Sequence, residues 1–358
     1  MADDRDDRDV LRDDVRDHLH DNGFRPRILT VGGHIQTLLG FWHRRKLRWT
    51  LPVEDLIVEA GDGIRLLLRA SWQPGPREAR PALVTIHGLG GWDEASYGLA
   101  TGAYAYGLGW HVLRMNMRGA GDSAPICPRL YNAGLDTDLV AVLDAATRVA
   151  PRVAVVGFSL GANLALLALG RSAARIPAGL LGVVAVSPPL DLAACVAALE
   201  RPTNHLYQAY FLRNLRLSYR YRQRLCPELY EAGREEKPRT IREWDEAITA
   251  PYGGYASADE YYARSSSGPY VRDLDRRALI LSAKDDPLVP AASIARWPLP
   301  ASGIVEREIT RTGGHVGFVA PTPAPGRFWA AERAMRFLAG DLTGDATGGA
   351  SVLPQDRL

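Results

Sequence analysis

From residue 55 to residue 340, short apolar runs alternate with stretches whose apolar residues recur every three or four positions. LIVEA and IRLLLRASW flank Gly61-Asp62-Gly63, a pattern that predicts a β-hairpin. The runs PALVTIHG, WHVLRMNMRG, VAVVGF, GLLGVVAVSPP, RALILSA and VEREITR predict strands. Between and after them, ASYGLATGAYAYGLG, TDLVAVLDAATRVA, LGANLALLALGRSA and GRFWAAERAMRFLAG predict helices. Strand–helix alternation of this kind predicts an α/β fold, a mostly parallel sheet with helices on both faces. In such sheets, reactive groups gather beyond the carboxyl ends of the strands.

Residues 191–275 break the alternation. They are helical in pattern, rich in Tyr and Arg, and interrupted at Pro202, Pro227, Pro238 and Pro251. The expected organisation is therefore a core in two parts, 23–190 and 276–340, with a helical cap inserted at 191–275. A charged tail is expected at 1–22 and a flexible, Gly- and Ala-rich one at 341–358. Within the insertion, LYQAYFLRNLRLSYRYRQRL sets Arg213, Arg216, Arg220 and Arg224 at helical spacing, beside Leu212, Leu215 and Tyr219. This pattern serves a lid helix that covers a pocket with its apolar side. It also serves a basic helix making peripheral contact with an anionic membrane. The lid is the expected role, because lids need the same pattern.

Composition changes this picture little. A chain of 358 residues, 46% of them hydrophobic, can bury a large core. A formal net charge of +2 gives no electrostatic case for a nucleic-acid partner. Lysine occurs only at Lys46, Lys237 and Lys284, an arginine bias expected of a GC-rich bacterial genome. Cys127, Cys195 and Cys226 show no C-x-x-C spacing, as expected for reduced thiols in a cytoplasmic protein. The Asp- and Arg-rich start is too charged and too acidic for a signal peptide. No apolar run reaches the roughly 18 residues of a transmembrane helix.

The chemistry centres on Gly157-Phe158-Ser159-Leu160-Gly161, between a predicted strand and a predicted helix. No phosphate-loop pattern fits there, whereas G-x-S-x-G in that context is the nucleophile elbow. A serine hydroxyl needs a base, and the base needs an orienting group. His315, in TRTGGHVGFV after the last predicted strand, is the candidate base. Asp285 and Asp286 both follow the strand RALILSA; the register of strand end and turn favours Asp286. Asp285 is then expected to be an exposed neighbour or a cap. The order Ser159, Asp286, His315 is that of α/β hydrolases. TIHGLGG offers the backbone N–H of Leu89 to an oxyanion, and the start of the following helix offers that of Leu160. Arg118 and the glycines of NMRGAGDS read as scaffold. No metal cluster appears in the sequence, and no cofactor is required.

With GGHIQTLLG, HGLGGWDEASY, NMRGAGDS, GFSLGANLALLALG, AKDDPLVP and GGHVGF, the sequence resembles the YheT-like branch of the α/β-hydrolase superfamily from about residue 28 to 340. The resemblance implies a group of candidate esterases with a Ser–Asp–His charge relay, here Ser159, Asp286 and His315. It implies cleavage of a small-molecule carboxylic ester, lipid or acylglycerol esters included, through an acyl-enzyme. An acyltransferase or a thioesterase would use the same residues, and a non-catalytic binder would use the same pocket. Relatives anchored in membranes exist, but the hydrophobic N-terminal segment is lacking here. His34, Gln36 and Thr37 are expected to pin the N-terminal segment onto the core.

Overall fold

The computed structural model describes residues 24–26, 32–45 and 47–340. The expected tails at 1–22 and 341–358 lie outside the described residues. Runs of Val, Ile, Leu and Ala form eight strands: β1 (Glu54–Glu59), β2 (Arg65–Ser71), β3 (Ala82–Ile86), β4 (His111–Met115), β5 (Val153–Phe158), β6 (Leu180–Val186), β7 (Ala278–Ala283) and β8 (Val305–Thr310). They make one sheet in the order β1-β2-β4-β3-β5-β6-β7-β8. β1 pairs antiparallel with β2, and β2 with β4; every other pairing is parallel. β3, β4, β5 and β7 are buried at every position, which is why they are mostly apolar rather than alternating. β8 alternates, with Val305 buried and Glu306 exposed, as an edge strand does.

Eleven α-helical segments are described: α1 (Gly33–Arg44), α2 (Ser96–Gly107), α3 (Asp136–Val149), α4 (Leu160–Arg171), α5 (Leu192–Leu199), α6 (His205–Leu225), α7 (Ile241–Trp244), α8 (Ala250–Gly253), α9 (Ala258–Ser265), α10 (Ala291–Ala295) and α11 (Trp329–Ala339). α3 and α4 bury their apolar residues in the core on one face of the sheet. α2 and α11 bury theirs in the core on the other. Between β6 and β7 the chain makes α5 to α9 without adding a strand.

α6 is helical throughout the arginine-rich stretch, and several of its arginines are engaged by neighbouring segments. Arg216 donates to the carbonyls of Glu235 and Pro238, and Arg220 pairs with Glu235 at 2.7 Å. Arg222 is buried and donates to Gly119 O, tying α6 to the NMRGAGDS loop. Phe211 and Leu215 face a cavity beneath. Among the described residues, no helix is long and apolar enough to cross a membrane.

Candidate active site

β3, β5, β6, β7 and β8 run parallel, so the residues that follow them meet at one edge of the sheet. Ser159 follows β5 with φ 50° and ψ −118°, a conformation strained for a residue with a side chain. The residues two positions to either side must be glycine. A Cβ on Gly157 would lie 2.5 Å from Gly161 O, and one on Gly161 would lie 2.5 Å from His87 O. The Ser159 amide is fixed by donation to Val186 O at 2.9 Å.

His315 lies across from it, with Nε2 2.9 Å from Ser159 Oγ and Nδ1 2.9 Å from Asp286 Oδ2. The other carboxylate oxygen of Asp286 accepts from the amides of Leu288 and Val289 at 2.8 and 2.9 Å. Both oxygens are thus engaged, and the carboxylate has one rotamer that serves all three donors. Ser159, Asp286 and His315 are brought together as expected.

Asp285 corrects an expectation. It is half-buried rather than exposed, and its Oδ1 accepts the Gly314 N–H at 2.9 Å. Burial pushes its carboxyl above the ordinary aspartate value. The adjacent aspartates divide the labour: Asp286 holds the imidazole, and Asp285 holds the backbone beside it.

The GGHIQT segment has the same target. On α1 the positions Gly33, Gln36, Thr37, Gly40 and Arg44 form one face. Gly33 packs against the Asp285 backbone so closely that no side chain fits. Thr37 Oγ1 accepts the His315 N–H at 2.9 Å. Gln36 accepts from Val319 N at 2.8 Å and donates to Val319 O at 3.3 Å. Arg44 donates to the carbonyls of Val316 and Gly317 at 2.8 and 3.0 Å. Its burial lowers the guanidinium to about 9. The pinning expected of Gln36 and Thr37 therefore joins α1 to the histidine loop in particular, where Val316 and Phe318 both take positive φ. His34 instead stacks on Tyr207 of α6, with its Nδ1 3.2 Å from the tyrosine hydroxyl.

Leu89 and Leu160 line the same cavity as Ser159. The amides flanking Leu89 are occupied: Gly88 donates to the Tyr97 hydroxyl and Gly90 to the Tyr131 hydroxyl, both at 2.8 Å. The Leu89 amide has no acceptor among the described residues. That of Leu160 opens α4, where no helical acceptor exists. His87 braces this loop. Its Nδ1 donates to Gly88 O at 2.8 Å, and its Nε2 accepts from Met117 N at 3.1 Å. Burial lowers its pKa to about 4, so it stays neutral and cannot act as a charged donor.

The cavity has a volume of about 390 Å³. α5, α6 and the segments from α7 to α9 wall it above Ser159, with Leu192, Val196 and Leu199 from α5. Asn163, on α4 within GFSLGAN, anchors the returning chain. It donates to Ser265 O at 2.8 Å and accepts from Ser267 N at 2.9 Å. Arg118 forms a two-pronged pair with Asp138 at 2.6 Å.

Residues 81–320 match the alpha/beta hydrolase fold family, and the chain belongs to that family. It is 31% identical to the candidate esterase YheT of Escherichia coli (strain K12), over 84% of this chain and 88% of that one. It is 29% identical to phospholipase ABHD3 of Mus musculus over 67% of this chain, and 31% identical to monoacylglycerol lipase of Saccharomyces cerevisiae over 73%. Of each of those two longer relatives the chain spans 59%. Among solved structures, the Pyrococcus furiosus esterase Pf2001 shares the fold, with a TM-score of 0.54 at 17% identity, covering 82% of this chain and 96% of that one.

Proposed function

We propose that the chain hydrolyses carboxylic esters through a covalent acyl-serine. The observation that carries this reading is the hydrogen-bonded line from Ser159 through His315 to Asp286, 2.9 Å at each step. His315 Nε2 takes the proton of Ser159 Oγ as that oxygen attacks the ester carbonyl. Asp286 keeps the Nδ1–H tautomer and stabilises the imidazolium. The amides of Leu89 and Leu160 receive the oxyanion of the tetrahedral intermediate. His315 then gives its proton to the alcohol oxygen as the ester bond breaks. In the second half, His315 deprotonates a water that attacks the acyl-serine, and the acid leaves as Ser159 regains its proton.

Lipid esters, acylglycerols among them, are the substrate class that the aliphatic lining supports. Leu206 and Leu217 of α6 are 71% and 51% exposed, and Tyr210, which lines the cavity, is 49% exposed, which favours contact with a lipid surface near the cavity. The test is hydrolysis of p-nitrophenyl esters of graded acyl length, with Ser159→Ala in parallel. A rate that peaks at one chain length and is lost in the variant supports the reading. Undiminished hydrolysis by Ser159→Ala contradicts it.

A further inference from the structure

The cavity above Ser159 has two kinds of wall. Leu192, Val196, Leu199, Leu288 and Val289 make one of them aliphatic. Asn132, Asp245, Thr249, Tyr261 and Tyr262 make the other polar. Asp245 has no part in the proton relay, yet it is only 8% exposed. It opens a π-helical turn, Asp245–Thr249, set between α7 and α8. Such turns break the regular helical register and recur at functional sites.

The Tyr262 hydroxyl donates to Asp245 Oδ2 at 2.8 Å, and the Thr249 hydroxyl, one helical turn on, joins it in offsetting the effect of burial on that carboxyl. No cation pairs with this carboxylate among the described residues. Arg242, three positions earlier, pairs with Asp259 at 2.8 Å, and Arg234 donates to Ala247 O and pairs with Glu231. A carboxylate has room for about four hydrogen bonds, so about two remain open. In the lining of the same cavity, Asn132 Oδ1 accepts from Gly134 N at 2.8 Å, which leaves its NH2 to donate. The Tyr261 oxygen accepts from Ala133 N at 3.0 Å and keeps its own proton. An acceptor and donors that line a cavity, rather than a packed core, are available to a ligand that pairs with them. A hydroxyl group, which both donates and accepts, pairs with this set.

Resting on the ester-hydrolase reading, we infer that Asp245, Asn132 and Tyr261 form a subsite for a free hydroxyl of the substrate, so that hydroxylated esters are preferred to plain alkyl esters. Tyr262 and Thr249 are positioning residues that fix the carboxylate. The same hydroxyl chemistry is offered by the alcohol part of a polyol ester or by a hydroxylated acyl chain. A site built to hydrogen-bond a hydroxyl discriminates against its absence far better than an apolar pocket discriminates by size.

The test uses the full chain and three esters of equal length: glycerol monooctanoate, propyl octanoate and the propyl ester of a terminally hydroxylated octanoic acid. One hydroxylated ester is expected to exceed propyl octanoate in kcat/KM by about tenfold or more, and which one it is locates the source of the hydroxyl. Asp245→Asn, and independently Tyr261→Phe, bring that ratio to within about threefold of one. Equal rates on all three esters, or variants that lower all three alike, overturn the inference. The matching non-hydrolysable ethers, titrated into Ser159→Ala protein, separate this inference from the proposed activity. Preference for a hydroxylated ether that Asp245→Asn removes supports the subsite even if no ester is turned over. Ester turnover without any such preference leaves the activity standing and overturns the subsite.

Discussion

Thr37 Oγ1 accepts a hydrogen bond from the backbone N–H of His315 at 2.9 Å, across 278 positions of sequence. The bond sets the histidine main chain from behind while Asp286 sets its ring from the side. Thr37→Val keeps the shape and removes the acceptor. The expected result is a fall in kcat of about tenfold with KM little changed, because a slightly misplaced base harms the transition state more than binding. The stability loss should be about 1 kcal/mol. Thr37→Ser should restore kcat. Steady-state kinetics with urea denaturation of the same samples check both effects, and an unchanged kcat in the Val variant would show that the grip is not needed.

The adjacent aspartates should differ sharply. Asp286→Asn leaves the fold intact but no longer holds the Nδ1–H tautomer, and kcat should fall on the order of 10⁴-fold. Asp285→Asn weakens only the bond to Gly314 N, and its loss should be nearer tenfold. Parallel kcat measurements on the two variants decide the assignment; a larger loss at Asp285 would reverse it.

His87 makes a stability prediction with a definite sign. Its pKa falls from an ordinary 6.5 to about 4 on burial, so the unfolded chain binds the proton more readily than the folded one. Its contribution to stability is present above pH 6.5 and is lost as pH falls toward about 4. The full effect is on the order of 3 kcal/mol. His87→Gln should show a flatter urea midpoint across this window than the parent protein.

Asp245 carries the opposite sign. Burial raises its carboxyl from 3.8 to about 6, so the folded chain holds the proton more tightly and stability declines as pH rises through this window. Among the described residues, the partners that oppose this are the hydroxyls of Thr249 and Tyr262. Asp245→Asn should therefore gain stability over the parent at pH 7.5 relative to pH 4, by up to about 3 kcal/mol. A gain that does not change with pH would contradict burial of the charged carboxylate as its cause.

The fold and the turn that carries Ser159 were legible because local pattern specifies them. An unbroken Val-rich run, a G-x-S-x-G turn and a Leu/Ala-rich helix specify the environment of Ser159 within about fifteen residues. The supporting contacts were not legible, because they join distant segments. The helical period makes Gly33, Gln36, Thr37, Gly40 and Arg44 one face of α1, yet nothing in that period says that the face grips Val316, Gly317 and Val319. Asp285 read as an exposed neighbour or a cap, because the backbone group it accepts from is that of Gly314, 29 positions on. The arginines of α6 allowed both a lid and a basic membrane-docking helix, and only the positions of Glu235 and Pro238 reveal how Arg216 and Arg220 are engaged. Asp245 stood beside Glu246 in an acidic helical stretch. The π-helical turn that faces it into the cavity has no sequence signature.

A Ser159 nucleophile activated by His315 reacts with an electrophile that its neighbours do not attack. The most direct measurement is covalent labelling of the folded chain with a fluorophosphonate, with the modified peptide located by mass spectrometry. The predicted result is one stoichiometric label on Ser159, absent from Ser159→Ala and slowed by about a thousandfold or more in His315→Ala. Folded protein that takes no label, or a label on any other residue, would contradict it.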